Sequence, residues 1–122
     1  MSEPVPGAIS EVLTRSVTQV FNERDAARRA DLIAATYAPG IVFHDPDGTV
    51  TGREGFGEKI AELLGGTGGL SFSLRRPVQE SAGLGVASWQ LGPPGQPPVA
   101  TGTDVALVQD GLVTTMWTLL DS

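Results

Sequence analysis

The apolar residues of this chain change their period part-way along, and the glycine pair Gly65-Gly66 marks the change. Before it the spacing is helical. Ile9, Leu13, Val17, Val20 and Phe21 share one side of a predicted helix over 9–21. Ala30, Ile33, Ala34 and Tyr37 predict a second helix, stopped by Pro39 and Gly40. Ile41 to His44 reads as a short strand entering the turn Asp45-Pro46-Asp47-Gly48. Thr51 and Glu54 then have capping-box spacing and open a third helix with the stripe Phe56, Ile60, Leu63 and Leu64. After the glycine pair the period is two: Leu70, Phe72 and Leu74 alternate with Ser71, Ser73 and Arg75, as in a strand with one buried face. Three more strands are expected at 84–91, 100–109 and 112–120, the last two joined by a tight hairpin at Asp110-Gly111. Prolines 93, 94, 97 and 98 keep the preceding linker out of a sheet interior. Helices first and strands later imply an α+β fold, a curved antiparallel sheet wrapped around helices with a cone-shaped pocket at its open end.

Composition removes whole classes of chemistry. Without cysteine there is no thiol nucleophile, disulfide or Cys-based zinc site, and a single histidine excludes a multi-His metal centre within one chain. No metal and no cofactor is expected. The formal charge of −6 argues against nucleic acid, which selects a clustered basic face. Arg24, Arg28 and Arg29 lie among Glu23, Asp25 and Asp31 and read as a solvated helix face. No apolar run approaches the roughly 20 residues that span a bilayer, and the N-terminus has no signal-peptide pattern. The expectation is therefore one domain over 1–122, cytoplasmic, with no membrane partner.

Three motifs in order, Tyr37-Ala38-Pro39, Asp45-Pro46-x-Gly48 and Gly52-Arg53-Glu54, resemble the nuclear transport factor 2-like superfamily, and within it the ketosteroid isomerase and SnoaL-like groups. The likeness runs from the first helix to the last strand. It implies that Asp45 is the proton-carrying base. Asp104, in Gly102-Thr103-Asp104-Val105 downstream of Gly95-Gln96-Pro97, would be the protonated donor to a developing oxyanion. The tyrosine that supplies the other oxyanion donor in those isomerases is matched here by Phe21, which has no hydroxyl. Losing one such donor typically costs about 10²- to 10³-fold in rate. The superfamily's epoxide-hydrolase branch needs an Asp-Arg-Asp set, and its dehydratases need more than one histidine; neither fits. The resemblance also implies a homodimer through the outer sheet face, where Val105 and Leu107 would point.

The residues themselves carry part of this. Successive strand side chains face opposite ways, so if Phe43 points to the helices, Asp45 does too and His44 points away. Asp104 sits between apolar neighbours in a strand, where aspartate is disfavoured. Two aspartates facing one apolar pocket can divide the tasks of base and acid if burial keeps one protonated. Expected walls are Val17, Phe21, Phe43, Phe56 and Met116. Tyr37 is either a wall or a core residue. Asp47 is expected to bond its own backbone, and Trp89 and Trp117 to pack the sheet. Asp45 reads equally as turn chemistry, since Asp before Pro initiates turns. Two functions follow: a cofactor-free isomerase or cyclase acting by proton transfer on a small apolar carbonyl compound, or a non-catalytic protein that binds a small hydrophobic molecule.

Overall fold

The computed structural model describes residues 8–121. Helix α1 spans Ala8–Thr18 and passes through a 3₁₀ turn at Val20–Asn22 to α2, Ala26–Thr36. Strand β1 (Tyr37–Asp45) and β2 (Gly48–Thr51) form a hairpin, followed by α3 (Arg53–Gly65). The rest is strand: β3 Ser71–Leu74, β4 Gln79–Ser81, β5 Leu84–Gly92, β6 Ala100–Gln109 and β7 Leu112–Leu120. They make one sheet in the order β2-β1-β7-β6-β5-β3, with β4 also beside β5. The neighbours are antiparallel except β1 and β7, which run parallel. The expected α+β architecture is thus present, with every helix before the long meander.

One face of the sheet receives the helices. Leu13, Ile41, Phe56, Ile60 and Met116 are fully enclosed there. Close approach is built in at Gly85, where a Cβ would collide with Leu13 and Ile9 of α1. Arginines join the helix ends. Arg53 donates from Nε and Nη2 to the Tyr37 carbonyl, at 2.9 and 2.7 Å, and from Nη2 to the Ala34 carbonyl, so the start of α3 caps the end of α2. Arg24 does the same at the end of α3, reaching the Leu64 carbonyl at 3.1 Å.

Several expectations are corrected. Tyr37 is not in the second helix. It is the first residue of β1, and Pro39 and Gly40 lie within that strand, where the pairing to β7 shifts register. The Thr51–Glu54 capping box is not made; the residue before α3 is Gly52, with φ of 87° and no side-chain cap, a conformation that favours glycine. Of the basic cluster Arg24 and Arg28 are exposed, as expected, and Arg29 is not. Arg29 is buried and donates to the Glu23 carbonyl at 2.7 Å, because the interior backbone needs donors more than the surface needs charge.

Candidate functional site

At the open end of the sheet lies a cavity of about 170 Å³. A cavity of about 150 Å³ is known to accept benzene, so this one suits a single ring or a short chain. Both expected aspartates, Asp45 and Asp104, line it, as do Val17 and Phe21. Tyr37, Phe43, Phe56 and Met116 do not. They are fully buried in the core beneath. The reason is depth. Phe43 and Met116 are partners in the parallel pairing of β1 and β7, and both point inward, but the cavity begins one inward step further along each strand, at Asp45 and Thr118.

The wall of the cavity is β5, β6 and β7. Asp104 pairs across to Ala87 on β5 and Thr118 on β7. It is only 4% exposed. Its Oδ1 accepts from Trp89 Nε1 at 2.9 Å and from the Thr118 hydroxyl at 2.7 Å. Among the described residues nothing donates to Oδ2 and no cationic side chain pairs with this carboxyl group. Burial pushes its pKa up to about 6, against the two hydrogen bonds, which pull it down. Gly102 makes the arrangement possible: the Trp89 indole lies across it, and a Cβ there would collide with the ring and with the Leu119 carbonyl. Trp89 therefore does more than pack the sheet.

The opposite rim is the β1–β2 turn, and it is built differently. Asp45 Oδ1 accepts from the backbone N–H of Asp47, at 2.9 Å, and of Gly48, at 3.1 Å. Its Oδ2 lies 3.2 Å from Lys59 Nζ on α3. Asp47 does not bond its own backbone as expected; its Oδ2 takes Lys59 at 2.9 Å. These contacts, that to Asp47 above all, raise the Lys59 pKa and hold its charge. His44 faces away, as strand parity requires, and stacks on Trp117 with ring centroids 5.5 Å apart.

The floor is aromatic. Phe21 meets Phe72 edge-on at 5.9 Å, and Phe72 meets Trp89 at 5.4 Å. Phe21 also touches Phe56, which ties the floor to the core. The Tyr37 hydroxyl lies outside this lining, hydrogen-bonded with Ser16, and burial raises its pKa so that it stays neutral. A wider depression of about 370 Å³ between α2 and α3 is lined in part by Arg29 and Arg53. Both already donate to backbone carbonyls, so that depression offers less chemistry.

Sequence reasoning missed Lys59, Thr118 and Phe72. Thr118 and Phe72 were legible in parity, being two residues from Met116 and midway between Leu70 and Leu74. Lys59 carried no signal, because only the packing of α3 brings it to the turn.

Comparison with known proteins now adds family to geometry. The family model of the SnoaL-like domain matches residues 14–116. The chain belongs to the SnoaL-like family. No curated protein matches it. Among solved structures, this SnoaL-like chain is similar to a candidate isomerase of the SnoaL-like family from Agrobacterium tumefaciens. The two are 25% identical, with a TM-score of 0.81 over 93% of this chain and 95% of that one. It is also similar to a candidate SnoaL-like polyketide cyclase from Jannaschia sp. CCS1, at 21% identity and TM-score 0.75 over 99% and 92%. A candidate ketosteroid isomerase from Kribbella flavida has TM-score 0.72 at 18% identity, over 94% and 78%. The last two carry the fold alone.

Proposed function

We propose that this SnoaL-like protein catalyses a cofactor-independent proton transfer on a small carbonyl compound, an isomerase- or cyclase-type reaction, with Asp104 as the proton carrier. One observation carries the reading: Asp104 is buried at an apolar cavity with one oxygen held and the other free. A base acts best when its pKa lies near the working pH, and a carboxyl raised to about 6 meets that condition. Its Oδ2 takes the proton from the carbon beside the carbonyl and returns it further along the conjugated system, so the carboxyl ends as it began. Trp89 and Thr118 fix its orientation through Oδ1.

Resemblance implies the base role for Asp45. The geometry favours a different division. Asp45 already accepts two backbone N–H groups and an ammonium, so its lone pairs are committed to the turn and to α3 and not to the cavity. It serves as a fixed anchor of the cavity rim.

The substrate is limited by volume to about one ring. The test is conversion of cyclohex-3-enone to its conjugated isomer, followed by absorbance, with a β,γ-unsaturated 3-ketosteroid as the large counterpart. Conversion by wild type that Asp104→Asn abolishes supports the reading; wild-type rates at background for both ketones sink it. A second reading, a non-catalytic binding protein, is favoured by Phe21, which brings no hydroxyl to the cavity. Binding of cyclohexanone without turnover of either enone would establish it.

For partners, the outer sheet face supports a homodimer, since Trp117, Leu107 and Leu119 remain exposed there. Light scattering of wild type against Trp117→Glu tests it, and a monomer in both rules it out. No helix among the described residues is long and apolar enough to cross a membrane.

A further inference from the structure

The charges around the cavity favour a cationic ligand over a neutral one. Three carboxyl groups, those of Asp45, Asp47 and Asp104, belong to its lining, and no Lys, Arg or His does. Lys59 stands behind the rim and engages the first two. Among the described residues Asp104 has no such partner, and none donates to its Oδ2. A neutral ketone that loses a proton here develops negative charge beside these carboxylates, with Phe21 offering no donor and the Trp89 and Thr118 donors already given to Asp104. The aromatic floor points the same way, because ring faces attract cations and do not attract anions.

We propose that the ligand of this cavity carries a positive charge, as a single-ring or short-chain ammonium or iminium whose charged nitrogen lies beside the Asp104 carboxylate, against the rings of Phe21, Phe72 and Trp89, and leaves Oδ2 to the reacting C–H. The inference rests on the cavity being the ligand site, and it narrows the carbonyl substrate proposed above to one that also bears a protonated nitrogen. Such a nitrogen supplies the positive charge that the walls lack. It offsets the negative charge that the substrate gains when its proton leaves, and it lowers the acidity barrier at the neighbouring carbon.

The pH dependence follows from the groups facing Asp104. These are the Trp89 indole on β5, the Thr118 hydroxyl on β7, the Tyr37 hydroxyl on β1, Arg15 of α1 beyond that tyrosine, and Asp45 and Asp47 across the cavity. Tyr37 stays neutral, and Lys59 stays charged. Asp104 becomes anionic as pH rises through about 6, between the two pH values of the test below.

Benzylamine and benzyl alcohol have one shape and differ in charge, and neither has a carbonyl group to react. Calorimetric titration of both into the intact protein, at ionic strength of about 0.15 M to screen the acidic surface, tests the proposal. In wild type at about pH 8, benzylamine is expected to bind at least about tenfold more tightly than benzyl alcohol. That preference should fall to under about threefold at about pH 4.5 and in Asp104→Asn at either pH, with near-ultraviolet circular dichroism reporting that the variant is folded. Equal binding of the two in wild type overturns the proposal, as does binding of neither, or an amine preference that survives Asp104→Asn. The wild-type comparison stands even if the variant does not fold. Because the probes cannot undergo proton transfer, failure here leaves the enone result intact, and failure of the enone test leaves this one intact.

Discussion

The two rims of the cavity hold an aspartate each and treat it in opposite ways. On the hairpin side, Asp45 is surrounded by donors that fold the turn: two backbone N–H groups and the Lys59 ammonium. On the sheet side, Asp104 is deeper and, among the described residues, has donors on one oxygen only and no counter-charge. The first arrangement commits the carboxylate's acceptors to the turn and to α3. The second leaves a carboxyl group strained between its two protonation states, which is the property a proton carrier needs. A carboxyl group open to the cavity and one bound into a turn are thus separated by strand, although both residues face one space.

The sharpest way to break the comparison is to neutralise each carboxyl in turn. Asp104→Asn should lower the rate of enone isomerisation by about 10²- to 10⁴-fold, while Asp45→Asn lowers it by no more than about tenfold. The reverse order would return the base role to Asp45.

Stability against pH separates the same residues without any substrate. The pKa of Asp104 is raised on folding, from an ordinary carboxylate value to about 6. Between those values the folded state binds more protons than the unfolded one, so this residue favours folding at low pH. Its contribution is lost as pH rises toward 6 and above. The cost at neutral pH is on the order of 3 kcal/mol. Urea unfolding of wild type and Asp104→Asn should therefore show a gap that shifts in favour of the variant between about pH 4 and pH 7.

Next in size is the missing donor. Phe21→Tyr places a hydroxyl at the cavity and should raise the enone rate by about tenfold, with the gain lost in the Asp104→Asn background. The smallest effect belongs to the clamp: Lys59→Met should cost about 1 kcal/mol in urea unfolding and leave the pH gap of Asp104 unchanged, because Asp45 keeps its two backbone N–H donors and the Asp47 end of the clamp is exposed.

Much of this molecule was legible in its residues, and the failures have physical causes. The change from period 3.6 to period 2 located α1, α3 and the long strands. Parity along β1 and β6 turned Asp45 and Asp104 inward and His44 outward. Strands β2 and β4 were missed because they are short and largely exposed, so they bury no alternating face. Tyr37 fell on the helical stripe of α2 by spacing, yet the same inward direction serves the first residue of a strand. The pocket walls were misjudged for another reason. Pattern tells which face a phenylalanine takes, but only strand register tells how deep it lies, and this divides Phe43 and Phe56 in the core from Phe21 at the cavity. Lys59 belongs to a long-range pairing that no local pattern encodes.

Gly102 has a bearing on how such a chain can drift in sequence. Its absent side chain is replaced by the indole of a neighbouring strand, so positions 89 and 102 share one volume. Neither can be altered as if alone. A larger residue at 102 needs both a smaller one at 89 and a shift of the Leu119 carbonyl, and a smaller one at 89 removes the N–H that steadies Asp104. A chain that fills position 102 must therefore rebuild the corner around Asp104 in the same step, so one glycine fixes both the close approach of two strands and the orientation of a carboxyl group.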